Sequence, residues 1–186
     1  MKTLTEIIDL YGSDKNLSNY TPKYEEVFEP IRNEKFSMLE IGIGTIIPGV
    51  QSSMVNTSVP NYKPGASLRS WQEYFKNAMI YGGDIQFDTQ FEEDRIKTFL
   101  FDSTSKFECD VALEDMKFKI IIDDGLHTAE AQISTFNNLY ERLENGGYYV
   151  IEDINQPAIR EYIYNIFGYE NVYTSQPGNL IIIFKN

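Results

Sequence analysis

The sequence predicts an α/β fold in which a mostly parallel sheet carries helices on both faces and ends in an antiparallel hairpin. Three observations predict it. Four apolar runs bounded by polar or glycine residues, Phe36–Ile41, Lys97–Phe101, Phe118–Ile122 and Tyr148–Ile151, read as buried strands, with Met79–Tyr81 a weaker fifth. Stretches with helical spacing separate these runs, and strand alternating with helix is the mark of parallel strands joined by right-handed crossovers. Near the end, Asn171–Thr174 and Leu180–Phe184 are joined by the turn-rich Ser175-Gln-Pro-Gly-Asn179, which is short enough to make the last two strands antiparallel.

In chain order, Thr3–Tyr11 reads as a helix with a Thr3/Glu6 capping box and a Gly12 stop. Thr21-Pro22 opens a second helix that runs to about Arg32. The first strand is followed by Thr45–Ala66, one long irregular stretch rich in Ser, Pro, Gly and Asn. Loops of this length are uncommon in compact domains unless they work, and a lid or substrate loop is favoured over a plain insertion. Leu68, Trp71, Tyr74, Phe75 and Ala78 then share a helix face, as do Ile133, Phe136, Tyr140 and Leu143 ahead of a Gly146-Gly147 stop. The last helix has Pro157 near its start and Ile159, Ile163, Ile166 and Phe167 on one face.

The 186 residues are read as one domain, 1–186, because a chain of about 150 residues already buries roughly 68–70% of its unfolded surface. Hydrophobic residues at 42% and charged residues at 24% describe a chain that folds. A net charge of −12 works against binding a phosphate backbone, so a nucleic acid is excluded as partner and a small molecule fits better. Cys109 is the only cysteine, which rules out an intramolecular disulfide or a thiolate cluster and marks it as a small buried hydrophobe. The N-terminus lacks the basic and apolar regions of a signal peptide, and no apolar run reaches the ~18 residues of a membrane span. A cytoplasmic protein with no membrane partner is expected.

Leu39-Glu-Ile-Gly-Ile-Gly44 ends the first strand with two glycines spaced to turn the chain and let its backbone approach a ligand. The dinucleotide fingerprint wants a third glycine where Ile47 stands, so a pyrophosphate cradle is disfavoured. Asp84 ends the next apolar run, where a carboxylate can accept from both hydroxyls of a ribose. Asp102 and Ser103 follow the third run in the same way, suited to an adenine.

Lys119-Ile-Ile-Ile-Asp-Asp-Gly-Leu-His127 places two acids and the only histidine directly after a strand, and Tyr148-Tyr-Val-Ile-Glu-Asp153 ends in two more acids. Neighbouring strands lie ~4.8 Å apart, so these ends can converge on one ion. Hard cations such as Mg²⁺ prefer oxygen ligands, which Asp124, Glu152 and Asp153 can supply. The competing reading has these acids capping helices, with Asp124 ahead of a helix that starts near Thr128. His127 can take a proton from a hydroxyl acidified by the metal.

The ordered set Tyr11-Gly-Ser-Asp-Lys15, Leu39–Gly44, Ser67-Leu-Arg-x-Trp71, Gly83-Asp-Ile85, Asp123-Asp-Gly-x-His127 and Gly146–Asp153 resembles the metal-dependent macrolide and rhamnosyl O-methyltransferases. The match runs from about Tyr11 to Asp153, and the Asp-Asp-Gly-x-His and Glu-Asp pair is its most specific part. The resemblance implies a Rossmann-like class I methyltransferase fold, with a seven-stranded sheet and with residues 1–35 packed over the cofactor edge. It implies S-adenosylmethionine as methyl donor, bound along Glu40, Gly42, Gly44, Asp84, Asp102, Ser103 and Asp123. Asp124, Glu152 and Asp153 are implied as Mg²⁺ ligands and His127 as general base. The expected reaction is methylation of a hydroxyl on a small molecule, foremost a sugar of a glycan or glycosylated natural product, and self-association is a fold-level analogy.

Three departures bear on the acceptor. Leu126 stands where a small polar residue is usual, Asn19 lies where relatives often carry a histidine, and residues 45–66 exceed the usual link. A catechol or other non-sugar diol needs the same metal chemistry and stays open as acceptor, as does a non-catalytic binding protein of the same fold. A two-histidine iron triad is excluded, because the chain has one histidine.

Overall fold

The computed structural model describes residues 2–50, 53–56, 59, 62–175 and 179–186. Two helices, α1 (Leu4–Tyr11) and α2 (Thr21–Phe28), precede β1 (Ser37–Ile41) and α3 (Ala66–Tyr74). There follow β2 (Met79–Asp84), β3 (Glu92–Glu93), β4 (Ile96–Leu100), α4 (Lys106–Leu113), β5 (Phe118–Asp123) and α5 (Ala129–Leu139). β6 (Leu143–Ile151), α6 (Pro157–Phe167), β7 (Val172–Thr174) and β8 (Ile181–Lys185) complete the chain.

The strands form one sheet in the order β3-β4-β2-β1-β5-β6-β8-β7. β1, β2, β4, β5 and β6 pair in parallel, β8 runs antiparallel to both β6 and β7, and the two-residue β3 adds a short antiparallel edge beside β4. The parallel sheet and closing hairpin are as the sequence predicts; residues 176–178 of the hairpin link lie outside the described residues. Strand alternation divides the core in two. Met38, Ile80, Ile120, Ile122 and Val150 point toward α1, α2 and α3, whereas Leu39, Ile121, Tyr149, Ile151 and Ile183 point toward α4, α5 and α6. On the first face Tyr24 stacks on Phe28, and both meet Trp71 edge-on, which fixes the N-terminal helices to α3.

Helix starts follow the predicted chemistry. The Thr3/Glu6 capping box forms and Gly12 ends α1 in the left-handed region at φ 71°. Two expectations are corrected. Gly146-Gly147 does not stop a helix: α5 ends at Leu139, a single 3₁₀ turn covers 140–142, and the glycine pair lies inside β6. There the register against β5 shifts between Phe118 and Ile120, and a Cβ at Gly147 would stand 2.8 Å from the carbonyl oxygens of Lys119 and Glu144. The pair therefore serves a bulge. The second helix also ends early, at Phe28, and a 3₁₀ turn over 29–31 carries the chain on toward β1. Among the described residues, no helix is long and apolar enough to cross a membrane.

Candidate active site

β1 is flanked by β2 on one side and β5 on the other, so the crossovers diverge at its C-terminal end. Open α/β sheets bind ligands in the crevice at such a point. A cavity of about 340 Å³ opens there, lined by the β1 turn (Gly42, Ile43, Gly44, Thr45), by Asp84 after β2 and by Asp102, Ser103 and Thr104 after β4. Asp124, Leu126, His127 and Asp153 face it from the β5 and β6 ends, and Ser13, Asp14 and Lys15 from the segment after α1.

The two glycines of the turn are needed for close approach within the protein. Gly42 has φ +80°, and a Cβ there would lie 2.0 Å from the backbone oxygen of Asp124. At Gly44, φ +79°, a Cβ would lie 2.0 Å from the Tyr62 hydroxyl, which donates to the Ile43 carbonyl at 3.2 Å. Tyr62 thus ties the end of the 45–66 segment to the turn, and Val50, Met54 and Tyr62 line one side of the cavity. Residues 51, 52, 57, 58, 60 and 61 of that segment lie outside the described residues. Asp84 fastens the turn from β2: one oxygen accepts from Ile43 N–H and the other from Gln86 N–H, each at 2.9 Å. Burial raises its pKa, and these N–H groups counter the rise. Each oxygen keeps a lone pair for a further donor.

A largely buried ion cluster runs inward from the cavity wall. Lys15 is 2% exposed, and its Nζ stands 2.8 Å from Asp124 Oδ2, 2.8 and 2.9 Å from the two Glu152 oxygens and 3.1 Å from Glu40 Oε1. Burial alone would lower the lysine pKa, but Asp124, Glu152 and Glu40 together hold it well above the ordinary value. Glu40 accepts from Trp71 Nε1 at 2.7 Å through its other oxygen, and Glu152 also accepts from the Tyr24 hydroxyl. Burial raises the pKa of Glu152, reinforced by Asp124, while Asp124 is itself drawn below its usual range by Lys15 and His127 against the cost of burial.

At the residue after Glu152, Tyr20 donates to Asp153 Oδ1 at 2.6 Å and accepts from Asp153 N–H at 3.2 Å. Asp153 Oδ2 lies 3.6 Å from His127 Nδ1, and Asp124 Oδ1 lies 3.3 Å from His127 Nε2. Burial favours the neutral imidazole, yet the two carboxylates outweigh it and raise the His127 pKa.

Asp124, His127 and Asp153 each present one ligand atom within 4.8 Å of the others, on the cavity surface. Two hard oxygens and an imidazole whose buried Nε2 makes no hydrogen bond fit a divalent cation. Charge agrees: among the described residues six carboxylates, Asp14, Glu40, Asp123, Asp124, Glu152 and Asp153, gather here around one ammonium and one imidazole. Helix capping does not account for the acids, because Thr128 caps α5 by accepting from Ala131 N–H at 3.3 Å.

Of the residues singled out from the sequence, Gly42, Gly44, Asp84, Asp102, Ser103, Asp124, His127 and Asp153 meet at this one cavity. Glu40, Asp123 and Glu152 are buried behind it, at 0, 2 and 2% exposure. Asp102 is turned into its own loop, accepting from Thr104, and Ser103 pairs with Thr135. Asp123 has one oxygen on Gly125 N–H and the other without a partner; burial, with Asp124 nearby, pushes it up to about 7. Sequence reasoning assigned no role to Lys15, Tyr20 or Tyr24. The single hint was the Tyr11–Lys15 motif, an odd place for a lysine to be specified ahead of the sheet.

No protein-family model matches the chain. It is 34% identical over 146 residues to the 8-demethyl-8-alpha-L-rhamnosyl tetracenomycin-C 2'-O-methyltransferase of Streptomyces olivaceus, covering 77% of this chain and 35% of that protein. It is 37% identical over 155 residues to the demethylmacrocin O-methyltransferase of Streptomyces fradiae, covering 81% of this chain and 36% of that protein. The chain therefore spans about a third of the length of these curated relatives. Among solved structures, the MycE methyltransferase from the mycinamycin biosynthetic pathway, in complex with Mg, SAH and mycinamycin VI, superposes with a TM-score of 0.80 at 25% identity, over 100% of this chain and 55% of that one. Over the part of their length that it spans, the chain belongs to the family of macrolide and rhamnosyl sugar O-methyltransferases.

Proposed function

We propose that this chain transfers a methyl group from S-adenosylmethionine to a hydroxyl of a small molecule, most simply a sugar on a glycosylated product, with a divalent cation at the acceptor site. The observation that carries this reading is the meeting of Asp124, His127 and Asp153 within 4.8 Å on the wall of the cavity that the β1 turn and Asp84 enclose. The relatives named above are sugar O-methyltransferases, and MycE was solved with Mg and SAH, which supports the same donor and metal here.

Asp124 and Asp153 would hold the cation with His127 beside them; Glu152 would join only by giving up its Lys15 contacts. When bound, the cation lowers the pKa of the acceptor hydroxyl, and the sulfonium supplies an electrophilic methyl. The remaining work falls to the protein. Asp84, fixed by two backbone N–H groups, offers its free lone pairs to the ribose hydroxyls. Glycine at 42 and 44 lets the turn pack directly against Asp124 and Tyr62 and so fixes the cavity wall. His127, held between two carboxylates, takes the proton of the acceptor hydroxyl as its oxygen bonds to the methyl carbon; the carbon–sulfur pair leaves on sulfur as the thioether. Alignment in the cavity supplies most of the rate.

Two measurements test this. Titration calorimetry of S-adenosylmethionine should give micromolar binding that Asp84→Ala weakens, and absence of binding with or without Mg²⁺ removes the reading. Single-turnover assays on rhamnosides should show His127→Ala slowed by roughly 10²–10⁴ at unchanged donor affinity. Normal turnover in that variant removes the base assignment.

A further inference from the structure

Asp153 is held in an uncommon way. Its φ is +50°, in the left-handed region that few non-glycine residues occupy. The contacts that hold it there come from Tyr20, the residue at the start of α2, whose hydroxyl accepts from Asp153 N–H at 3.2 Å and donates to Oδ1 at 2.6 Å. One hydroxyl therefore fixes both the backbone and the side chain of the same acid. Tyr20 is itself 2% exposed and edge-on to Tyr24, which one helical turn later holds Glu152. With Oδ1 engaged by the phenol, Oδ2 is the oxygen left to face His127 Nδ1, 3.6 Å away.

We propose that Tyr20 is a positioning residue for the divalent cation: it holds Asp153 in its left-handed conformation so that one defined carboxylate oxygen, Oδ2, joins Asp124 as a ligand beside His127. This rests on the metal-dependent reading given above. Outer partners that orient a ligand are worth about 10–100-fold in metal affinity. Tyr20 does not line the cavity, so its effect should appear in cation binding and leave S-adenosylmethionine binding alone.

The test is Mn²⁺ binding followed by electron paramagnetic resonance on the whole chain, wild type beside Tyr20→Phe, with calorimetry of S-adenosylmethionine on the same samples. The expected result is a Mn²⁺ affinity lowered about tenfold or more in Tyr20→Phe, with S-adenosylmethionine affinity within about twofold. Equal Mn²⁺ affinity in the two proteins overturns the proposal. A parallel loss of both affinities also overturns it, since that is what a merely structural tyrosine would give. If wild type itself binds no Mn²⁺, the metal-dependent reading fails and this inference with it, an outcome distinct from the first two. Should Tyr20→Phe not fold, amide exchange of Asp153 in metal-free wild type decides: it should be slowed about tenfold or more relative to an unprotected amide, and exchange at the unprotected rate refutes the locked Tyr20–Asp153 unit.

Discussion

Replacing Lys15 by methionine removes the one ammonium within 4 Å of Glu40, Asp124 and Glu152 among the described residues. Methionine keeps most of the volume, so the change tests charge more than packing. Lys15 and Glu152 are each 2% exposed and Glu40 is fully buried, so solvent screens these contacts little. Removing one partner of such a pair costs about 3–5 kcal/mol, because the carboxylates left behind stay buried and unpaired. For a domain of this size that corresponds to a fall in melting temperature of roughly 6–20 °C.

The sign of the pH dependence follows from the same contacts. The lysine pKa is raised on folding, so its contribution is complete below the unfolded value and is lost only as pH rises through the folded one. Wild type therefore carries that contribution in full at both pH 5 and pH 8. In the variant, burial lifts Glu40 and Glu152 further without Lys15 to oppose it, and the folded state takes up protons that the unfolded state does not. The deficit should shrink by at least about 1 kcal/mol from pH 8 to pH 5. Urea unfolding with a chelator present, at both pH values, measures it. A deficit below about 1 kcal/mol, or one indifferent to pH, would refute the account of Lys15 as the counter-charge of this cluster.

Asp123 gives a second pH test. With its carboxyl pushed up to about 7 from 3.8, the folded state loses up to about 4 kcal/mol as pH rises from 4 to 7. Asp123→Asn should flatten that slope in metal-free denaturation curves, and an unchanged slope counts against it. Gly42→Ala drives a Cβ to 2.0 Å from the Asp124 carbonyl at φ +80°, so it should destabilise the fold by more than about 3 kcal/mol and reduce donor binding in calorimetry. A mild effect would mean that the turn can open. Trp71→Phe strands a buried Glu40 oxygen that now accepts at 2.7 Å, and should cost about 1–3 kcal/mol by thermal unfolding, more at pH 8 than at pH 5.

What could be read from the sequence was local. The capping box at Thr3 and Glu6, the Pro157 start and the isoleucine-rich run of β5 each act over a few residues, and all form where expected. The acids at strand ends were legible because a parallel sheet gathers its C-terminal ends on one edge. α4 went unread: Phe107 and Val111 on it are exposed while Cys109 and Leu113 are buried, which blurs its apolar stripe. Burial pushes the Cys109 thiol up to about 11, in keeping with an inert core residue. The glycines at 42 and 44 were found as a turn that lets the backbone approach a ligand; the structure adds that they clear room for Asp124 and Tyr62, neighbours that no local pattern reveals. Lys15 and Tyr20 stayed silent because their meaning depends on partners more than a hundred residues away.

That separation has a consequence for synthesis. Lys15 reaches Glu152 across 137 positions, Tyr20 reaches Asp153 across 133 and Tyr24 reaches Glu152 across 128. At about 5–20 residues per second on the ribosome, the N-terminal segment waits roughly 7–30 s before these partners at the end of β6 exist. Throughout that interval Lys15 can pair only with acids made earlier, Glu40 and then Asp124, and Tyr20 and Tyr24 lack their carboxylate acceptors. The nascent chain thus cannot complete this buried cluster until β6 has emerged.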